Sequence, residues 1–143
     1  MKRLALLAMI AGFVLVGCGG GGGDSSGPAP IPPTVDVSGT WDALITRTGG
    51  TQGSIGFQYP AVITMVQSGS SVSGTWITYG GGGQALGSVS GDDLDMTISQ
   101  TSPCVGTYHG IGMVNAASNQ MSGTYAGADC GGTLQASFTA SKR

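Results

Sequence analysis

Few side chains in this sequence could carry acid–base or metal chemistry. His109 is the only histidine and the chain has no glutamate, so a catalytic or metal-binding His109 would need partners from distant segments. Asp92, Asp93 and Asp95 could suggest a calcium site, but they lie on and beside a predicted hairpin turn, where aspartate is common. The alternating oxygen ligands of a calcium loop are missing. We therefore predict no catalytic residue, no metal site, no cofactor and no enzymatic activity.

Two of the three cysteines are predicted to form a disulfide. Cys104 and Cys130 lie in predicted turns, one just before the sixth strand and one between the seventh and eighth. An even pair of this kind in an exported protein favours a disulfide, which would stabilise the fold by roughly 3.5 kcal/mol in the chain-entropy model. A metal or redox pair is disfavoured because the CxxC spacing and nearby histidines are absent.

The third cysteine follows a segment with the pattern of a secretion signal. Lys2 and Arg3 precede an uninterrupted run of apolar and small residues, 4–16, and Gly17. A helix over that run spans about 20 Å, less than the roughly 30 Å hydrocarbon core of a bilayer. Residues 1–17 are therefore predicted to be a signal peptide and not a transmembrane helix.

The residues at the end of this segment, Leu15-Val16-Gly17-Cys18, resemble the lipobox of bacterial lipoproteins. The resemblance implies cleavage before Cys18 and attachment of diacylglycerol to its thiol, usually with acylation of the new amino terminus. An ordinary secretory signal with an incidental cysteine is the alternative. Acyl chains at about 0.8 kcal/mol per buried methylene would hold Cys18 in membrane lipid. Gly19 stands where inner-membrane retention signals commonly have aspartate, which favours the outer membrane of a bacterial cell envelope.

Composition divides the remaining chain into a linker and one domain. Residues 18–34 are rich in glycine, serine and proline and are predicted to be a disordered tether. Residues 35–143 are long enough for a single small domain. Without the signal peptide, three basic side chains oppose seven aspartates. Because no basic patch is available to neutralise phosphates, we predict no nucleic-acid partner.

Alternation with a period of two residues runs through 35–143 and predicts an all-β domain. Val-Ser-Gly-Thr-Trp occurs at 37–41 and 72–76, and Met-Ser-Gly-Thr-Tyr at 121–125; each copy places its apolar, glycine and aromatic residues on one strand face. We predict an antiparallel meander barrel of about eight strands, with a two-sheet sandwich as the alternative. The predicted strands are 37–46, 62–67, 72–79, 86–90, 94–99, 108–115, 120–126 and 133–141. The glycines at 80–83 are predicted to be a flexible connection.

The two ends of this domain, Gly39-Thr40-Trp41 and Lys142-Arg143, resemble the ends of lipocalin and avidin-type barrels, the calycin group. The resemblance implies that a basic side chain near the end of the last strand, Arg143 or Lys142, covers Trp41 at one end of the barrel.

Two functions follow as hypotheses. In the first, a lipocalin-like barrel binds a small apolar ligand or lipid. In the second, the domain is a non-catalytic interaction or inhibitor module that presents loop 47–58 or 80–83 to another envelope protein. For the first hypothesis, the predicted ligand contacts are Trp41, Trp76, Tyr79 and Tyr108.

Overall fold

Eight antiparallel strands close into one barrel. The computed structural model describes residues 29 and 31–143; the predicted signal peptide 1–17, Cys18 and the predicted linker residues 19–28 and 30 lie outside the described residues. Each strand pairs with the next in sequence, and the last pairs with the first, so the sheet has no free edge. In chain order the strands are β1 Gly39–Gly50, β2 Gln58–Ser68, β3 Ser71–Thr78, β4 Gly81–Ser90, β5 Asp93–Ser102, β6 Gly106–Val114, β7 Gln120–Asp129 and β8 Gly132–Lys142. The predicted meander barrel is confirmed, and the sandwich alternative is wrong.

The glycine-rich segment 80–83 is mostly strand and not the flexible connection that its composition predicts. Gly82 pairs with Ile77 of β3, and Gly83 pairs with Trp76 of β3 on one side and Gln100 of β5 on the other. A Cβ atom at Gly83 would collide with the backbone of Ser99, so glycine here allows two strands to approach closely. Barrel closure therefore uses these glycines as pairing residues.

The inward-facing positions of the strands form one core, as the recurring motif predicts. Val37 and Trp41 of the first copy are fully buried, and Val72 and Met121 of the other two are nearly so. Every residue of this core lies within 35–143, so this part of the chain contains its own packing. None of the described residues belongs to a helix that could span a bilayer.

One end of the barrel is closed by the segment 31–38, which precedes β1. Val35 and Val37 are buried there. The Thr34 amide donates a hydrogen bond to the Gly91 carbonyl at 2.8 Å, and the Val37 amide donates to the Gln67 side chain at 2.9 Å. The last residues of the segment predicted as linker, 31–34, therefore already contact the barrel, because their backbone groups pair with the β4–β5 turn.

Lys142 covers Trp41 at this closed end. Its Nζ atom lies 5.5 Å from the centroid of the Trp41 ring, and the indole nitrogen donates to the Val37 carbonyl at 2.9 Å. Arg143 instead binds the Asp42 carboxylate on the outer wall, with a shortest distance of 2.6 Å. The basic cover that the calycin resemblance implies is thus supplied by Lys142, and the architecture is consistent with that resemblance.

The opposite end of the barrel is open and carries the disulfide. Cys104 in the β5–β6 loop is bonded to Cys130 in the β7–β8 turn, with Cα atoms 5.8 Å apart. The predicted pairing is confirmed. The bond joins two connections that are separated along the barrel wall by β6 and β7, so it holds one side of the opening together.

Candidate ligand-binding cavity

A cavity of about 530 Å³ extends from the open end into the barrel. Binding sites for small organic molecules usually have volumes of roughly 300–1,000 Å³. The cavity ends on Met65, Leu94 and Met121, which lie toward the closed end. The wall is mainly apolar and aromatic, and its larger members are Ile45, Tyr59, Ile63, Trp76, Met96, Ile98, Tyr108, Tyr125, Leu134 and Phe138.

The barrel is hollow because small residues occupy several inward positions at mid-height. An eight-stranded barrel is just wide enough for its own side chains to fill it or for one small ligand. Ala61 on β2, Ala85 on β4 and Gly110 on β6 face the cavity, so three of the eight strands contribute almost no volume there. Larger side chains at these positions would close the space.

Two tyrosines, one on β2 and one on β7, meet in the cavity wall. The hydroxyls of Tyr59 and Tyr125 lie 2.8 Å apart in a hydrogen bond, and the ring of Tyr125 packs edge-on against Tyr108 with centroids 5.9 Å apart. Burial raises the pKa of Tyr125, and its hydrogen bond with Tyr59 raises it further. The Tyr125 hydroxyl is therefore neutral at physiological pH and can donate or accept a hydrogen bond.

Asp129 organises the polar groups just inside the mouth. Its carboxylate accepts hydrogen bonds from the side chains of Gln52 at 2.6 Å, Gln100 at 3.2 Å and Tyr108 at 2.9 Å. A fourth comes from the Gly131 amide at 2.7 Å. Burial, followed by the hydrogen bond to Asp129, raises the pKa of Tyr108 to about 12. The network ties the β1–β2 loop, β5, β6 and the β7–β8 turn together at the opening.

Unpaired donors accompany this network. Arg47 lies inside the mouth, where its guanidinium donates to the Gln52 carbonyl and stacks over the Phe57 ring at 5.7 Å. The Nε atom of Arg47 and the indole nitrogen of Trp76 are buried without a hydrogen-bond partner among the described residues. Buried donors normally have partners. Both side chains line the cavity, so an acceptor bound there would lie close to two unpaired donors.

The structure brings three of the four predicted ligand contacts to this cavity. Trp76, Tyr79 and Tyr108 line it, and Tyr79 stands at the rim with most of its side chain in solvent. Trp41 does not line it, because its ring is packed at the closed end beneath Lys142.

Sequence reasoning missed Tyr59, Tyr125 and Asp129. Tyr125 and Asp129 continue the inward register that begins at Met121, so alternation along β7 carried the signal.

The side chains first considered for catalysis or metal binding lie away from the cavity. His109 is on the outer wall, 2.8 Å from Asp95, and both side chains are more than half exposed. Asp92 and Asp93 lie at the β4–β5 turn, as predicted for turn residues. Within 31–143, no three histidine, cysteine or acidic side chains gather closely enough to ligate a metal ion.

No protein-family model matches the chain, and no curated protein matches it either. Function is therefore inferred from the cavity.

Proposed function

We propose that the barrel binds a small, mainly apolar molecule that carries one hydrogen-bonding group. The observation that carries the proposal is the cavity of about 530 Å³, apolar along its wall and open at one end. Apolar surface removed from water contributes about 25 cal/mol per Å², so an aliphatic or aromatic body would bind along the wall. Apart from the open end, the cavity is enclosed by the closed sheet and by the segment 31–38.

The polar groups of the cavity orient such a ligand. Its apolar part would contact Met65, Leu94 and Met121 at the floor, and its polar group would lie near Arg47 and Tyr125 toward the mouth. A carbonyl, hydroxyl or carboxylate fits these donors best, because Asp129 is already surrounded by donors of its own. Cavities of this type combine an apolar lining with a few polar groups that fix orientation.

We further propose that the protein is a lipoprotein of the bacterial cell envelope, held to membrane lipid through acylated Cys18 and most consistent with the outer membrane. The lipobox-like sequence before Cys18 supports this, and the disulfide agrees with an oxidising compartment. The intact mass of protein purified from membranes checks it: added acyl mass on Cys18 is expected, and an unmodified cysteine would contradict it. The role is binding and not catalysis.

The binding proposal is tested with a fluorescent probe on soluble protein that begins at residue 19 and lacks the anchor. Anilinonaphthalene sulfonate has an aromatic body and one anionic group, and we expect saturable binding with one site per barrel. Ile63→Trp places a larger side chain into the cavity and should weaken probe binding at least about tenfold, because it takes up the ligand's space.

Val66→Trp is the matched control, since Val66 lies on the same strand but on the outer wall, where it is 62% exposed. We expect this variant to bind the probe like the unmodified protein. Circular dichroism and melting temperature show whether both variants are folded. Equal effects of the two substitutions, or no saturable binding at all, would overturn the binding proposal in favour of the interaction-module hypothesis.

A further inference from the structure

Exposed apolar side chains surround the mouth of the cavity. Ile55 and Phe57 in the β1–β2 loop are 72% and 45% exposed, Tyr79 in the β3–β4 turn is 76% exposed, and Val105 in the β5–β6 loop is 81% exposed. We call these four residues the apolar rim. They come from three different loops, yet all stand at the same end of the barrel. Large apolar side chains grouped in this way usually mark an interaction surface.

Charged residues, by contrast, are absent from the loops at the open end and gather at the closed end. The connections at the open end, 51–57, 79–80, 103–105 and 130–131, contain no charged residue. Arg47 and Asp129 lie inside the mouth and are engaged in the network described above. At the closed end the segment 31–38 carries Asp36, the β4–β5 turn carries Asp92 and Asp93, and the chain ends with Lys142 and Arg143. One end of the molecule is therefore apolar and the other is charged.

We propose that the apolar rim docks on the surface of a lipid bilayer, with the cavity mouth facing the lipid. The centre of this surface is an opening and not a packed patch. Stable protein interfaces concentrate their energy in a central, well-packed region, which the rim lacks. A fluid lipid surface requires no such centre. Tyrosine is enriched at the boundary between headgroups and acyl chains, and apolar side chains insert there.

The length of the chain before the barrel permits this orientation. Thirteen peptide units separate Cys18 from Ile31, and at full extension they reach about 45 Å. The longest strand has 12 residues, and with the usual barrel tilt the barrel is about 30 Å tall. A barrel anchored through Cys18, as proposed above, can therefore turn its open end toward the same membrane even though the chain enters at the closed end.

Flotation with phosphatidylcholine vesicles tests the docking proposal on the same anchor-free protein, residues 19–143. The unmodified protein should float with the vesicles, and the fraction bound should not fall when salt is raised, because the rim has no charge to screen. Replacing Ile55, Tyr79 and Val105 together by serine should lower the partition coefficient roughly tenfold or more, since each loses apolar contact with lipid. Ile55→Ser alone should give a smaller loss and guards against misfolding of the triple variant.

The control replaces three outer-wall residues by serine. They are Val66, Leu86 and Met113, which are 62%, 58% and 58% exposed. This variant should float like the unmodified protein. An equal loss in both triple variants, or no loss in the rim variants, would overturn the proposal. So would self-association without vesicles that the rim substitutions abolish, because a second copy would then be the occupant. The docking result is independent of probe binding, so failure of one proposal is distinguishable from failure of the other.

Discussion

Asp129 holds the mouth of the cavity through a single carboxylate with four donors around it. Three of those donors come from side chains on separate elements, the β1–β2 loop, β5 and β6. A charged acceptor makes such hydrogen bonds stronger than neutral ones. Through Asp129 the β1–β2 loop, β5 and β6 are therefore joined at the opening.

Asp129→Asn should lower the pKa of Tyr108. In the unmodified protein that pKa is raised to about 12, first by burial and then by the hydrogen bond to Asp129. The amide removes the negative charge while burial remains, so the pKa should fall but stay above 10, the ordinary value for tyrosine. Absorbance titration of the phenolate, with Tyr108→Phe to assign the signal, measures the change.

The same titration makes a statement about stability. Because the folded pKa of Tyr108 is above its unfolded value, the stability it contributes is complete below about pH 10 and is lost as the pH rises through about 12. In Asp129→Asn the loss of this stability should be complete at a lower pH, because the folded pKa of Tyr108 is lower. Asp95→Asn, on the outer wall, is the control and should leave the Tyr108 titration unchanged; an unchanged titration in Asp129→Asn would contradict the assigned role.

Gly123 shows why glycine recurs in the motif along the strands. An added Cβ atom would lie 2.8 Å from the Phe138 ring and 2.6 Å from the Gly112 backbone. Gly123→Ala should therefore lower the free energy of unfolding by about 1–3 kcal/mol through overpacking. Gly80→Ala is the matched control, because the nearest atom there is 4.0 Å away. Urea unfolding of both variants tests this, and similar losses would show that the effect is not steric.

At the level of elements, the disulfide links the β5–β6 loop to the β7–β8 turn, two connections that are not paired strands. The two cysteines are separated by 26 residues, and on the chain-entropy model their bond contributes roughly 3.5 kcal/mol. Replacing both cysteines by alanine should lower the free energy of unfolding by about that amount. Dithiothreitol should destabilise the unmodified protein to the same level and leave the variant unaffected. A variant as stable as the oxidised protein would contradict this contribution.

The strands were predictable because their signal is local. Alternation and turn residues are properties of neighbouring positions, and they predicted all eight segments. The disulfide was predicted separately, from the even pair of cysteines that remains besides Cys18. The first half of β4, 81–85, was missed because the glycines at 81–83 carry no alternation; only the neighbouring backbone explains them. Trp41 was predicted as a ligand contact from its residue type, yet its height in the barrel depends on register and places it at the closed end.

The cavity was less predictable than the strands that surround it. Whether a barrel is hollow depends on the summed volume of inward side chains from all eight strands, and no short window of sequence contains that sum. Ala61, Ala85 and Gly110 are unremarkable residues in their own segments. They produce a cavity only because the closed sheet brings them to similar depth around one axis.

On the scale of the whole molecule, the two ends of the barrel differ in charge and in packing. The closed end is charged and packed, and the open end is apolar and hollow. The charged side chains of the closed end and the apolar rim thus lie at opposite ends of the barrel, and the outer wall between them carries further exposed apolar side chains such as Val66, Leu86 and Met113.

The plug formed by residues 31–38 also has a mechanical consequence. Tension applied to the chain at Ile31 meets the hydrogen bonds of 31–34 with Ser90 and Gly91 first, and then those of 35–37 with Gln67, Ser118 and Lys142. These bonds would break in sequence before the force reached β1. Val35 and Val37 would leave the core last. A pull from that direction would therefore open the closed end of the barrel while the eight strands stayed paired.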